Sequence, residues 1–129
     1  MIIDQVTLDN LTEQAKASPR LRMNMDLRNG PDDKSQRMLN ALEPGTVIPI
    51  HRHLNSSETV VCIRGHFVEC FYDNEGRLTE TVDMVPERVV LNIEKGQWHS
   101  LRCLESGTVS LEMKDGVFAP LCPDEIFGK

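Results

Sequence analysis

The chain holds four histidines, His51, His53, His66 and His99, and three of them have a spacing that points to chemistry. His51 and His53 flank Arg52. On an extended segment, positions i and i+2 project from one face, so the two imidazoles stand side by side and form half of a metal site. Glu58 follows the polar loop 54–57 and opens the next expected strand, where a chain reversal returns its carboxylate beside the imidazoles. His99 lies far along the chain, shortly after Gly96, on a strand that a closed sheet brings alongside. Three imidazole nitrogens and a carboxylate oxygen suit one divalent transition metal, Fe, Mn, Ni, Co or Zn, with positions left for water or substrate. On this reading His51, His53, Glu58 and His99 are the ligands, and Glu58 has the alternative roles of outer support or general base. His66, just past Gly65, is read as a surface or strand-edge residue and excluded.

The elements that must position these groups follow from pattern and punctuation. The 129 residues suit one domain, with 40% hydrophobic and 26% charged residues, the composition of an ordinary globule. A helix is predicted over about 7–17, with Thr7 as N-cap, Asp9 in the first turn, Leu8, Leu11 and Ala15 at helical spacing, and Ser18-Pro19 as the stop. From Arg20 to Arg28 the period becomes two: Leu21, Met23, Met25 and Leu27 alternate with Arg20, Arg22, Asn24, Asp26 and Arg28, which is a two-faced strand. Further strands are expected at 36–42, 47–53, 58–64, 66–72, 78–83, 89–93, 98–104, 108–113 and 117–119, separated by turn residues such as Pro44-Gly45 and Asp115-Gly116. One helix followed by many short strands indicates an all-β sandwich or barrel over about 20–119. The two prolines of the tail, 120–129, keep it out of the inner ladder, so it is expected to pack on the outside of the barrel or on a partner subunit.

The formal net charge of −6 repels phosphate backbones and anionic lipid, so no nucleic-acid or membrane partner is expected. No apolar run approaches the ~20 residues of a membrane span. The opening Met1–Asp4 has neither the basic head nor the apolar run of a secretory signal, and the cysteines at 62, 70, 103 and 122 form no CxxC pair. A reducing, cytoplasmic setting with free thiols is the corresponding expectation. Cys62 and Cys103 are read as small core hydrophobes, and Trp98, facing away from His99, as a packing residue.

The polar face of 20–28 allows two placements, solvent or barrel lumen. In a lumen its arginines would grip a carboxylate or phosphate through paired hydrogen bonds. Arg22, Asn24, Arg37 and Arg64 are the candidate substrate-binding residues on that reading, Arg64 because it shares the even-numbered face of Glu58. No catalytic residue is assigned.

The run from Gly45 through His51, His53 and Glu58 to Gly65 resembles the first cupin motif, G(X)5HXH(X)3,4E(X)6G, at every specified position. The second motif is partly present: Gly96 and His99 fit its GxxH, whereas Arg88, Glu94 and Cys103 stand where it has glycine, proline and asparagine. Within cupins, Ser18-Pro19-Arg20 with the alternating strand, and Gln36 to Gly45 leading into the histidines, resemble the WbuC-type cupin-fold metalloproteins encoded among bacterial surface-polysaccharide genes. The resemblance implies a double-stranded β-helix and a bound metal, without a reaction. Two functions follow as expectations: a metal-dependent enzyme on a sugar or sugar-nucleotide intermediate, with isomerase, epimerase or dioxygenase chemistry, or a non-catalytic metal-dependent binding or metal-braced module. A small-molecule ligand and a homodimer are the expected partners.

Overall fold

The computed structural model describes residues 1–129. It begins with α1 (Gln5–Ala17) and continues through β1 (Arg22–Asp26), β2 (Ser35–Leu42), β3 (Glu58–Arg64), β4 (Phe67–Tyr72), β5 (Leu78–Met84), β6 (Val90–Ile93), β7 (Trp98–Cys103) and β8 (Thr108–Asp115). A 3-10 turn, Pro123–Glu125, follows. The strands pair antiparallel in two sheets, ordered β1-β2-β8-β3-β6 and β5-β4-β7. This is the mainly-β jelly roll that the strand pattern predicts, with its single N-terminal helix.

The helix determines which way the larger sheet faces. Leu8, Leu11 and Ala15 recur at helical spacing and are buried against Leu39 and Ala41 of β2 and Val109 of β8, with Met23, Met25, Leu27 and Leu111 packed around them. Each fully buried leucine contributes ~1.5–3 kcal/mol of hydrophobic stabilisation, which commits the odd positions of β1, β2 and β8 to the outside of the barrel, beneath α1. Side chains alternate along a strand, so the even positions must turn inward. Arg22, Asn24, Gln36, Asn40, Ser110, Glu112 and Lys114 accordingly line an internal cavity. A second apolar cluster, Val60, Cys62, Phe67, Phe71, Met84 and Ile93, fills the space between the sheets.

Several boundaries differ from the sequence reading, each for an identifiable reason. The helix starts at Gln5 because Asp4, not Thr7, is the N-cap, accepting from the Thr7 amide at 3.1 Å. Asp9 therefore lies beyond the first turn, and it pairs with Arg64 at 2.7 Å instead. Leu21 sits at φ 56, so the first strand begins only at Arg22. The segment 47–53 is a strap and not a strand: Pro49 has no amide to donate, and only His51 makes isolated bridges, to His99 and Ile126. Residues 117–119 form no strand either and wall the cavity.

β3 carries one irregularity with functional weight. Glu58 faces Lys114 and Cys62 faces Ser110, but Arg64 then faces Val109, so Ile63 is an extra residue in the ladder. Such a bulge reverses the alternation, and Arg64 emerges on the helix side of the sheet. Gly65 then turns the chain at φ +86, where an added Cβ would lie 2.3 Å from Thr108 Oγ1 and 2.7 Å from Thr108 Cα. Gly65→Ala therefore combines backbone strain with a backbone clash, and chemical denaturation should show a loss of about 2–4 kcal/mol.

Candidate metal centre

The strap reaches its position by pairing with two elements at once. His51 and His99 exchange backbone hydrogen bonds, His51 N to His99 O at 3.0 Å and His99 N to His51 O at 2.8 Å. On the opposite side the tail grips the strap, with Arg52 N bonding Glu125 O at 2.9 Å and Phe127 N bonding Ile50 O at 2.9 Å. Phe127 stacks edge-on against Trp98 at 5.5 Å, and the Arg52 guanidinium lies 4.3 Å over the Trp98 ring. The tail packs on the barrel, as expected, and specifically locks the strap that carries His51 and His53. Trp98 is a packing residue.

The three histidine rings converge from this framework. Their centroids are 5.1 Å apart for His51 and His53, 4.3 Å for His51 and His99, and 5.7 Å for His53 and His99. One nitrogen of each lies within 4.8 Å of the others. The Nδ1 atoms of His51 and His99 lie 2.9 Å from the carbonyl oxygens of Pro49 and Gln97. Those carbonyls only accept, so each Nδ1 carries the proton and each Nε2 turns a lone pair inward. Glu58 Oε2 stands 3.2 Å from His53 Nε2 and 3.6 Å from His99 Nε2, and none of these three buried atoms has a hydrogen-bond partner. Buried polar atoms left unpaired in this way are costly unless a cation sits among them. The residues present therefore fit a divalent metal ion, and the backbone carbonyls of Pro49 and Gln97 that tether the imidazoles are the kind of outer support such an ion requires.

The charges around the centre are uneven. Burial, together with His99, pushes the His51 imidazole down to about 4. Burial alone would raise the Glu58 carboxyl, but its contacts with His53 and His99 outweigh that and hold it below the usual carboxylate range. Glu69 is 2% exposed, lines the same cavity, and leaves Oε2 without a partner. Burial, with Glu58 and Glu112 nearby, raises its pKa well above that of an ordinary glutamate. Glu112 accepts from Asn40 at 2.9 Å and pairs with Lys114 at 2.9 Å. Its carboxyl is also raised, by burial and by Glu58.

Of the proposed substrate-binding residues, Arg22 and Asn24 line the cavity of about 570 Å³. Arg37 and Arg64 do not. The guanidinium of Arg37 is spent on the carbonyls of Ser35 and Leu27 at 2.8 and 2.9 Å, because odd positions of β2 face outward. Arg64, reversed by the bulge, bonds Gly107 O at 2.7 Å and holds Gln5, Asp9 and Thr12 of the helix. His66 pairs outside the site with Asp83 at 2.8 Å, and Cys62 and Cys103 are buried. The sequence reading missed Glu69, Glu112 and Lys114. A signal for Glu69 was available, since it interrupts an apolar face between Phe67 and Phe71. The sequence reading assigns no face to the strand expected at 108–113, and Lys114 lies just beyond its bounds.

A His-rich centre inside a jelly roll defines the class: the fold is a double-stranded β-helix of the cupin type. Residues 3–84 match a family described as "Domain of unknown function (DUF6016)", and the chain belongs to that family. No curated protein matches it. Among solved structures, the capsular polysaccharide assembling protein CapF from Staphylococcus aureus is similar at TM-score 0.67 and 22% identity over 85% of this chain and 32% of CapF. KdgF from Halomonas sp. is similar at TM-score 0.63 and 16% identity, over 78% of this chain and 84% of KdgF. An oxalate oxidase in complex with glycolate is similar at TM-score 0.63 and 12% identity, over 81% of this chain and 55% of the oxidase. The chain thus spans about a third of the length of CapF, and these likenesses establish the fold.

Two outcomes follow. Phe127→Ala unpins the strap, so metal affinity measured by competitive chelation should fall about 10–100-fold. In metal-stripped protein the folded-state pKa of His51, about 4, lies below its ordinary 6.5. The unfolded chain then binds more protons between those values, so stability is full above 6.5 and falls as pH drops toward about 4. Thermal melts across that window should show the decline, and His51→Gln should flatten it.

Proposed function

We propose that this protein is a metal-dependent enzyme acting on a small polar metabolite, a sugar or sugar-nucleotide intermediate of surface-polysaccharide metabolism. The observation that carries the reading is the convergence of three imidazoles beside Glu58, with His53 Nε2, His99 Nε2 and Glu58 Oε2 left without a partner, opening onto a cavity that also holds the unpaired buried carboxyl of Glu69. The ligands would be His51, His53 and His99 with Glu58, and the metal one of Fe, Mn, Ni, Co or Zn. When bound, such an ion supplies Lewis-acid polarisation of a carbonyl or hydroxyl oxygen or, if iron, oxygen chemistry.

The chain's own residues favour isomerisation or epimerisation over dioxygenation. Glu69 is buried in the cavity wall and has no cationic partner, so it holds a proton that it can donate to a substrate and recover. Glu112 is tied to Lys114 and Asn40, which fixes its orientation. Such acid–base groups beside the histidines were not apparent from sequence, and their presence supports catalysis. The likeness to CapF and the Ser18–Arg20 and Gln36–Gly45 segments support the narrower assignment to the WbuC-type cupin-fold metalloproteins. Four free thiols suit a cytoplasmic setting, and exposed Leu78 and Val90 on β5 and β6 offer a surface for a homodimer.

One observation favours a second reading, a metal-braced binding module: the candidate ligands come from the strap, β7 and β3, so an ion would staple all three together. Chelation separates the two. An enzyme loses turnover of carbonyl sugars with little change in Tm, whereas a brace shows a large fall in Tm. Glu69→Gln sharpens the test. Replacing a buried carboxyl by a neutral amide should raise Tm by a few degrees while cutting turnover ~10²-fold or more. Unchanged turnover in that variant would remove Glu69 from the mechanism.

A further inference from the structure

The cavity has a second pole. Two cations line it, Arg22 and Lys114. Lys114 is neutralised by Glu112 at 2.9 Å. Arg22 forms no salt bridge and is held through Nη1 alone, which donates to Val47 O at 2.9 Å and approaches Thr46 Oγ1 at 3.4 Å. With Nη1 anchored, the edge formed by Nε and Nη2 has no protein partner. That edge is the one Arg28 uses on Asp26, where Nε lies 2.9–3.0 Å from the carboxylate oxygens and Nη2 lies 2.7 Å away. Two parallel N–H groups match the spacing of two oxygens on a carboxylate or phosphate. Asn24, two residues on and therefore on the same face, adds a side-chain amide to this end of the cavity.

The strap fixes the distance between the poles. Val47, which anchors Arg22, precedes His51 by four residues, a span of at most roughly 13 Å. Hydrogen-bonding side chains also line this cavity: Asn40, Ser100 and Ser110. We infer that the substrate is an anion-bearing sugar, a sugar acid or sugar phosphate, whose charged group docks on the free Nε–Nη2 edge of Arg22 while its other end reaches the histidine centre. This deepens the function proposed above and rests on it for the role of the histidines.

Isothermal titration of the purified protein with glucuronate, glucose 6-phosphate and glucose tests the inference, with metal content measured on the same samples. At least one of the two anions should bind about tenfold or more tightly than glucose, and their ratio identifies carboxylate or phosphate as the preferred group. Arg22→Gln should erase that preference and leave the metal content unchanged. Arg22→Lys keeps the charge and loses the fork, so it should retain part of the preference. The Nε–H resonance of Arg22 should shift on adding the anion in wild-type protein, an observation that does not depend on any variant folding. Equal binding of glucose, no heat from either anion up to about 10 mM, or an unchanged Arg22→Gln profile would overturn the inference. Wild-type protein that holds no cation yet binds the anion through Arg22 would sink the metal-dependent function and leave this one standing.

Discussion

The reciprocal backbone hydrogen bonds between His51 and His99 are the constraint on which the site depends. They hold a proline-containing strap beside β7, although that strap cannot form a regular ladder. Both imidazoles then stack within 4.3 Å, each tethered at Nδ1 to a carbonyl two residues upstream. Tethering removes the freedom of each ring to flip and satisfy its own inner nitrogen. The result is a set of lone pairs that the protein cannot pair internally. Such a set suits a cation, and unpaired polar groups inside a fold are a common mark of a functional site.

The tail and the helix set the surroundings of that centre from opposite sides. Phe127 and Glu125 pin the strap from outside, while α1 covers the apolar face of β1, β2 and β8 and so obliges their polar face to become the lumen. A sheet whose hydrophobic side lies outward, under a helix, can afford arginine, lysine, glutamate and asparagine within its barrel. Most of the remaining space between the sheets is filled by the cluster around Phe67 and Phe71, which limits the polar region to one cavity. Charge there is self-compensated between Glu112 and Lys114, whereas Arg22 has no acidic partner and the Glu69 carboxyl is unpaired. The uncompensated groups are where a ligand's own charge and protons would enter.

Much of this was legible in the amino-acid sequence. The three histidines, Glu58 and the flanking glycines announced a shared site by spacing, since i and i+2 on extended chain share a face regardless of what surrounds them. Turn residues divided the chain into strands to within a residue or two, and the exceptions were local. Asp4 competed with Thr7 for the cap, and Pro49 broke the strand that carries His51. Composition and periodicity identified the all-β barrel and its single helix, because hydrophobic period is a property of the chain itself.

What only the tertiary structure decided was orientation. Alternation along β1, β2 and β8 is the same whether the polar side meets water or a lumen, and the packing of α1 on Leu39, Ala41 and Val109 chose the lumen. The bulge at Ile63 then moved Arg64 from the expected inner face to the helix side, and the outward register of β2 removed Arg37. Glu69 and Lys114 became cavity residues through the same choice. A two-residue period fixes which side chains travel together but carries no information on which side is inside, and that is settled by contacts between segments distant in the chain.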